Sequence, residues 1–298
     1  MEKTEILKPD HLTDHNGDTF VFHCISNSFI FNTIRAIFMI ILFSTALFGA
    51  FERKGVGAST IALSLSGTAS EYQSFAVFNN PALIENNVFF SEMFYKKFYG
   101  IKGFDLIAFA ATANILSVPL GFGIARYGNN IFTETELVMG VSHNLHDHII
   151  IGLSMSSYFL DIAGHGKTSG MGFSFSALYF LNNEIRIAGL LSNFNEPDLG
   201  KTQESIPVSG QFGIAYKPFD EVEFLFDGYK EDYYDFAYRF GVRIQFIEQL
   251  HLLSGFQNSI ESFSVGFEFA ADNYEISYGL DIHPALRSSQ AIGFNYAF

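Results

Sequence analysis

The chain has 298 residues, of which 17% are aromatic and only 16% are charged, and its formal net charge at pH 7 is −14. Soluble chains usually carry about a quarter charged residues, so the composition argues against a soluble β-sandwich. A nucleic-acid-binding surface needs an excess of basic residues, which the acidic balance excludes. The single cysteine, Cys24, leaves no disulfide framework and no cysteine metal site.

An apolar run close to the N-terminus predicts a leader. Residues 36–51 carry no charge, Arg35 precedes them and a charged triplet follows. This run is shorter than the about twenty residues of a transmembrane helix and is typical of a signal-peptide core. Ser44-Thr45-Ala46 offers a small-x-small cleavage site. We therefore expect a leader over residues 1–50 with its signal-peptide core at 36–51; the alternative is an N-terminal membrane anchor.

The next segment, residues 51–86, is too short for a domain of its own and is rich in glycine, alanine and serine. Small side chains allow close packing of one backbone against another, and the apolar residues here would be stranded in water if the segment were free. We expect an N-terminal plug in the lumen of a barrel formed by the following residues; the alternative is a disordered periplasmic tail. We single out Asn80-Pro81-Ala82-Leu83 as the plug motif.

From residue 87 onward, apolar and polar side chains alternate with the period of two that is typical of β-strands. In residues 236–246, aromatic and aliphatic side chains share one face, whereas Arg239 and Arg243 share the other. The chain ends on Phe298, as closing strands of outer-membrane barrels do. We expect residues 87–298 to form an all-β, transmembrane, antiparallel β-barrel of about 14 strands. The predicted strands are 87–98, 103–112, 117–127, 132–143, 148–159, 170–181, 184–194, 206–218, 221–231, 236–246, 249–256, 262–271, 274–282 and 287–298.

The predicted connections differ between the two ends of this barrel. Bacterial barrels have short periplasmic turns and longer extracellular loops. We therefore expect a bacterial outer-membrane location, with the N- and C-termini of the barrel in the periplasm. Tight turns are predicted at 144–147, 182–183, 219–220, 247–248 and 272–273, and longer polar loops at 160–169, 195–205 and 232–235.

Charged residues on the polar faces of the last strands should point into the lumen. Buried charges need partners, so we expect Arg239 and Arg243 to pair with carboxylates such as Asp227 and Glu268. Such pairs either hold barrel and plug together or create an electrostatic field that selects which molecules pass through the lumen. The predicted lumen charges are Glu223, Asp227, Arg239, Arg243, Glu268, Glu275 and Asp281.

A histidine cluster offers the only hint of a metal site. His143, His146 and His148 lie close together with Asp147 between the last two. A metal ion would need a further ligand or an open coordination position, and we favour a tight turn in which Asp147 stabilises the connection. We find no nucleophile elbow, phosphate loop or nucleotide fingerprint. We therefore predict a protein that is not an enzyme and has neither cofactor nor metal.

The plug motif Asn80-Pro81-Ala82-Leu83, following a stretch of small residues, resembles the Asn-Pro-Ala motif of the FadL-like superfamily of outer-membrane fatty-acid transporters. Further along, the PorV/PorQ-like branch is resembled by residues 185–195, Ile206-Pro207, residues 213–218 and the strand around Asp227. The resemblance covers about residues 54–298. It implies a barrel of fourteen strands with an N-terminal hatch inside.

Two functions follow from this resemblance. A PorV/PorQ-like protein would be a component of type IX protein secretion that binds secretion machinery or exported proteins. A FadL-like channel would instead take up a fatty acid or another apolar ligand from its surroundings in the outer-membrane lipid. A purely structural barrel or a barrel enzyme are weaker alternatives. An apolar internal pocket would favour uptake, whereas a filled polar interior with a wide extracellular opening would favour protein handling.

Overall fold

The computed structural model describes residues 50–52, 54–70, 73–84, 89–200, 205–232 and 234–298. The predicted leader, with Cys24 and nearly all of the signal-peptide core, lies outside these residues. Within the described ranges, no helix is both long enough and apolar enough to cross a membrane.

Fourteen antiparallel strands form a closed barrel in which each strand pairs with its sequence neighbour and β14 pairs with β1. The closing pair runs from Phe90 opposite Ala297 to Lys97 opposite Gln290. The prediction of a fourteen-strand antiparallel barrel is confirmed. The strands are β1 Phe90–Lys97, β2 Asp105–Ile115, β3 Val118–Gly128, β4 Phe132–His146, β5 Ile149–Ile162, β6 Gly166–Phe180, β7 Ile185–Ser192, β8 Ser209–Phe219, β9 Val222–Glu231, β10 Ala237–Ile247, β11 Leu250–Gln257, β12 Ser262–Ala271, β13 Tyr274–Ile282 and β14 Ser289–Ala297.

The period of two decides which side chains face outward. On β10, Tyr238 and Phe240 are about half exposed, whereas the alternating Arg239 and Arg243 are buried. The rings of Phe240 and Phe226, on adjacent strands, lie 4.9 Å apart and cover the outer wall. Because the same alternation recurs around the barrel, its outer surface is a continuous apolar belt suited to lipid.

The connections at the two ends differ as the sequence predicts, with two corrections. Residues 144–146 belong to β4, where Asn144 and His146 still pair with β5, so the turn predicted at 144–147 is only 147–148. We call the end where β1 begins and β14 finishes the terminal end, and the other the opposite end. Residues 160–169 do not form a loop, because β5 and β6 continue pairing through Leu160 and Thr168. Asp161 and Lys167 add an exposed ion pair of 2.9 Å, so the connection is only 163–165. Connections at the terminal end are 116–117, 147–148, 181–184, 220–221, 248–249 and 272–273; those at the opposite end are 98–104, 129–131, 163–165, 193–208, 232–236, 258–261 and 283–288.

Residues 54–70 and 73–84, which we call the inner segment, pack against the inward-facing side of the barrel wall. They contain the short helices α1, Ala58–Ala62, and α2, Ala76–Asn79, followed by a 3-10 turn, Pro81–Leu83. Helix α1 contacts β11 to β14 and β1, whereas the 3-10 turn contacts β4, β5 and β6 on the other side. Most described residues of the segment are buried. Its role as a plug stays a prediction.

Candidate functional site in the barrel lumen

Glycines line much of the wall that the inner segment touches. A Cβ atom at Gly152 would lie 2.1 Å from the backbone nitrogen of Ala82, and one at Gly255 would lie 2.3 Å from the carbonyl carbon of Leu63. Only residues without a side chain permit such an approach. We call these inward-facing residues the glycine belt: Gly121, Gly123, Gly140, Gly152, Gly213, Gly241, Gly255, Gly266, Gly279 and Gly293.

Asp227, one of the predicted lumen charges, holds the turn between the two helices of the inner segment. It is fully buried. Its Oδ2 accepts hydrogen bonds from the backbone nitrogens of Gly67 and Thr68, both at 3.0 Å, and from the Thr68 hydroxyl at 2.7 Å. Gln211 of β8 donates a further bond at 2.8 Å. One carboxylate oxygen thus ties the inner segment to β9 through donors that have lost their contact with water.

A chain of ion pairs links inward-facing side chains of several strands, on the terminal-end side of the inner segment. Arg186 pairs with Glu223, Arg243 lies 3.5 Å from Glu223, and the same guanidinium lies 3.1 Å from Glu268. All four side chains are nearly buried. The hydroxyl of Ser70 donates to Glu223 at 3.0 Å, so the chain also contacts the inner segment. Sequence patterning did not single out Arg186, although its inward position on β7 follows the same period of two.

The remaining predicted lumen charges also point inward. Arg239 is the register partner of Asp227; it donates to the carbonyl of Leu65 in the inner segment at 3.5 Å. Glu275 and Asp281 accept hydrogen bonds from polar side chains of neighbouring strands, at 2.8 Å and 3.2 Å. The predicted charges therefore form two groups, one holding the inner segment and one joining strands to each other.

Two further carboxylates that the sequence interpretation missed also bind the inner segment or its start. Glu92 of β1 accepts a hydrogen bond from the backbone nitrogen of Phe75 at 2.7 Å. Glu134 of β4 accepts one from Phe51 at 2.9 Å and contacts the ammonium of Lys54 at 2.6 Å. Both carboxylates occupy inward-facing positions of strands in which apolar and polar residues alternate. This alternation was the signal that was available in the sequence.

The plug motif forms the 3-10 turn that faces β5. The Asn80 Oδ1 accepts a hydrogen bond from the backbone nitrogen of Ala82 at 3.0 Å, and its amide donates to the carbonyl of Thr68 at 2.6 Å. Pro81 occupies the first position of the turn, where a missing N–H costs nothing, and Leu83 is partly buried in the core of the lumen. The motif therefore joins the turn to the part of the segment that Asp227 holds.

We expect Asn80→Ala to destabilise the protein by about 2 kcal/mol, because a buried cap and its second hydrogen bond are both lost. Urea titration of the refolded barrel measures this difference. Asn182→Ala is the matched control, because Asn182 caps an exposed turn through the nitrogens of Glu184 and Ile185. Its loss should be below about 1 kcal/mol. Equal losses in the two variants would contradict the assigned role of Asn80.

A cavity of about 130 Å³ lies on the opposite-end side of the inner segment. At its rim Tyr234 donates a hydrogen bond to Glu52, and burial together with this carboxylate raises the pKa of Tyr234 to about 12. The hydroxyl of Tyr158 donates to Asn193 at 2.9 Å. The apolar lining comprises Phe51, Val56, Val77, Phe78, Pro81, Leu106, Ala125, Tyr127, Tyr158, Leu190 and Pro207; the polar lining includes Glu52, Lys54, Glu134, Glu136, Ser154, Ser156, Ser174, Asn193 and Glu231.

A second cavity, of about 400 Å³, lies at the terminal end. Its lining includes Glu223, Arg243 and Glu268 from the ion-pair chain, together with His251. The two cavities share no described lining residue. The inner segment and the ion-pair chain therefore lie between them.

The histidine cluster lies around the β4–β5 turn at the terminal end. His143 and His146 belong to the end of β4, and the rings of His146 and His148 are 5.9 Å apart. Across the described part of the chain, no group of three or more His, Cys, Asp or Glu side chains is arranged to hold a metal ion. The cluster also lines neither cavity.

No protein-family model matches this chain, and no curated protein matches it significantly. Among solved structures, it is similar to the toluene transporter TodX of Pseudomonas putida, with 12% identity and a TM-score of 0.65 over 84% of this chain and 99% of that one. It is also similar to a structure described as the TodX deltaS2S3 mutant monoaromatic hydrocarbon channel, with 12% identity and a TM-score of 0.63 over 82% and 98% of the chains.

At this level of identity the similarity shows the fold. The chain therefore shares the barrel fold of these TodX structures. The finer assignment to a PorV/PorQ-like branch finds no support among these structures.

Proposed function

We propose that this chain is a non-enzymatic outer-membrane channel for the uptake of small apolar molecules. The observation that carries the proposal is the partly aromatic cavity next to the inner segment, in a barrel with the fold of a toluene transporter. Small-molecule sites combine apolar and aromatic surface with polar groups that fix the orientation of the ligand, and the lining of this cavity contains both. The belt of outward apolar side chains supports a location in outer-membrane lipid.

The size of the cavity favours a compact substrate. An apolar cavity of roughly 150 Å³ in another protein binds benzene, and the cavity here measures about 130 Å³. Phe51, Phe78, Tyr127 and Tyr158 supply aromatic surface. These features support a molecule with a single ring rather than a long acyl chain.

The same geometry weighs against the type IX secretion alternative. The described parts of the connection after β7, residues 193–200 and 205–208, bring Leu199 and Ile206 inward at the opposite end, where both are fully buried against Tyr158 and Leu160. A barrel that handles exported proteins needs a wide opening at this end, whereas a small substrate needs only a narrow one. We therefore favour uptake over binding of secretion machinery.

In this proposal the inner segment is the plug. Its glycine-belt contacts and the Asp227 hydrogen bonds hold it between the two cavities. A substrate that enters at the opposite end would reach the first cavity and would pass to the second only when the segment shifts. The opposite end would then face the exterior and the terminal end the periplasm.

We expect Ser174→Phe to reduce toluene uptake by proteoliposomes, because Ser174 lines the cavity and a phenyl ring there would fill it. Forcing a ligand into filled space costs about 1–3 kcal/mol, which corresponds to a loss of affinity of about fivefold to about 150-fold. Ser157→Phe is the matched control, since residue 157 of the adjacent strand β5 alternates with the inward residues Ser156 and Tyr158.

Uptake is measured as the rate at which radiolabelled toluene reaches an enzyme trapped inside the vesicles. Loss of uptake in Ser174→Phe with normal uptake in Ser157→Phe would support the proposal. Equal rates in both variants and in protein-free vesicles would contradict it.

A further inference from the structure

We propose that the opposite-end cavity contains a hydroxyl-binding subsite, so that the channel prefers a largely apolar, single-ring molecule with one neutral hydroxyl group over the corresponding hydrocarbon. This inference rests on the proposed uptake function and narrows its substrate class. The ring remains the apolar part of the substrate, and the hydroxyl adds no charge. The inference is carried by a row of serine side chains in the wall of the cavity.

The row consists of one serine from each of four adjacent strands. The first two of these serines are direct register partners, and so are the last two. Phe175 opposes Leu191 at the end of the β6–β7 ladder, so the two central serines, one residue further along, lie at the same level. All four residues line the cavity. We call them the serine row: Ser154 of β5, Ser174 of β6, Ser192 of β7 and Ser209 of β8.

The hydroxyls of the serine row are available to a ligand. In the ranges that the structure describes, none of the four hydroxyls has a hydrogen-bond partner. Ser154 and Ser209 are nevertheless only 9% and 8% exposed. The neighbouring inward serines of β5 and β6 differ, because Ser156 and Ser176 form hydrogen bonds of 2.7 Å and 2.9 Å. Since buried hydroxyls are usually hydrogen-bonded, the serine row is suited to a ligand that supplies the missing partner.

Aromatic side chains from other elements line the same cavity. Phe78 belongs to helix α2, Tyr127 belongs to β3, and Phe51 precedes the inner segment. A ring that packs against these side chains would direct a substituent toward the serine row. The cavity would therefore fix both the position of the ring and the orientation of its polar group.

A ligand hydroxyl matches the serine row better than a methyl group does. A serine hydroxyl both donates and accepts a hydrogen bond, and directly opposite residues of neighbouring strands have Cβ atoms about 4.5–5.5 Å apart. A ligand hydroxyl between Ser154 and Ser174 would donate to one and accept from the other. A methyl group would displace water from both serines and replace none of its hydrogen bonds. Sites that bond a substrate hydroxyl discriminate against the analogue that lacks it.

A carboxylate on the ring would find no free positive charge in this cavity. Among the described lining residues, Lys54 alone has a cationic side chain. Its ammonium contacts Glu134 at 2.6 Å and lies 4.4 Å from the centre of the Tyr127 ring. The serine hydroxyls alone would have to replace the hydration of the anion, which is costly at a buried site. The subsite therefore favours a neutral phenol over an aromatic acid.

The test compares phenol, toluene and benzoate as ligands of the purified full-length barrel at pH 7. Phenol and toluene differ only by a hydroxyl in place of a methyl group, and phenol is neutral because phenolic hydroxyls ionise with a pKa of about 10. Isothermal titration calorimetry in detergent micelles gives each Kd, and titration of protein-free micelles corrects for partition. Phenol should bind about tenfold more tightly than toluene, which corresponds to about 1.4 kcal/mol. Benzoate should bind more weakly than phenol.

The double substitution Ser154→Ala with Ser174→Ala assigns the preference to the serine row. It should weaken phenol binding about tenfold and strengthen toluene binding, because two methyl groups replace hydroxyls that toluene leaves unpaired. Ser157→Ala is the matched control, since residue 157 alternates with the inward residues of β5 and lines neither cavity. It should leave all three Kd values unchanged.

The wild-type protein decides the inference even when the double variant does not fold. Toluene or benzoate binding as tightly as phenol would overturn the hydroxyl subsite, while uptake of toluene by proteoliposomes would still support the channel. A folded double variant that keeps the preference for phenol would also overturn the subsite. If none of the three ligands binds or passes, both the inference and the proposed function are wrong.

Discussion

Replacing Gly152 with valine is expected to displace the inner segment from β5 and to open the barrel to ions. A Cβ atom at this position would lie 2.1 Å from the nitrogen of Ala82 and 2.4 Å from the carbonyl carbon of Pro81. Both are backbone atoms, so no rotation of a side chain relieves the conflict. The 3-10 turn must therefore move away from the wall.

The energetic cost should be large for a single substitution. Overpacking a well-packed interior usually costs about 1–3 kcal/mol, and occasionally more. The displaced turn would also lose the hydrogen bond from the nitrogen of Ala82 to Ser176, which measures 2.9 Å. We expect the loss to fall at or above the upper end of this range, because backbone contacts and a buried hydrogen bond are lost together.

Planar-bilayer recordings measure the opening directly. The Gly152→Val variant should show higher ion conductance than the wild-type protein, and proteases should cleave its inner segment faster. Gly189→Val is the matched control, because a Cβ atom at Gly189 would have no neighbour within 4 Å. A Gly152→Val barrel that conducts like the Gly189→Val barrel would show that the inner segment does not close the lumen.

The architecture of the barrel could be predicted because one physical rule governs it. Each strand must present apolar side chains to lipid and polar or small ones to the lumen, and a period of two records this in the sequence. The rule also placed Glu223, Asp227 and Arg243 inside. The prediction of a loop at residues 160–169 was wrong. Polar residues there continue the β5–β6 pair beyond the lipid-facing region, and their composition resembles that of a loop.

The partners of the lumen charges could not be predicted in the same way. Thr68 and Asp227 are separated by 159 positions in the chain, and no local pattern relates two residues so far apart. The glycine belt was hidden for a different reason. In a sequence, a glycine within a strand indicates only a weak point of the strand. Its role in close packing is evident only when the structure shows another backbone lying against it, as Leu63 lies against Gly255.

Asp227→Ala is expected to be among the most destabilising single substitutions in the lumen. The carboxylate is fully buried, and its Oδ2 is the acceptor for two backbone N–H groups, the Thr68 hydroxyl and the amide of Gln211. Alanine would leave these donors buried without this acceptor. Since each unsatisfied buried group costs about 1–3 kcal/mol, the summed loss should reach at least about 4 kcal/mol.

Urea unfolding in detergent micelles compares this variant with Asp281→Ala, a buried carboxylate that accepts the Ser264 hydroxyl at 3.2 Å. The control should lose only about 1 kcal/mol. Asp227→Asn should lie between the two, because its amide keeps one oxygen acceptor for the Gly67–Thr68 turn but no charge. Protease cleavage near this turn should rise in the same order. If Asp227→Ala and Asp281→Ala unfold at the same urea concentration, Asp227 has no special role in keeping the inner segment in the barrel.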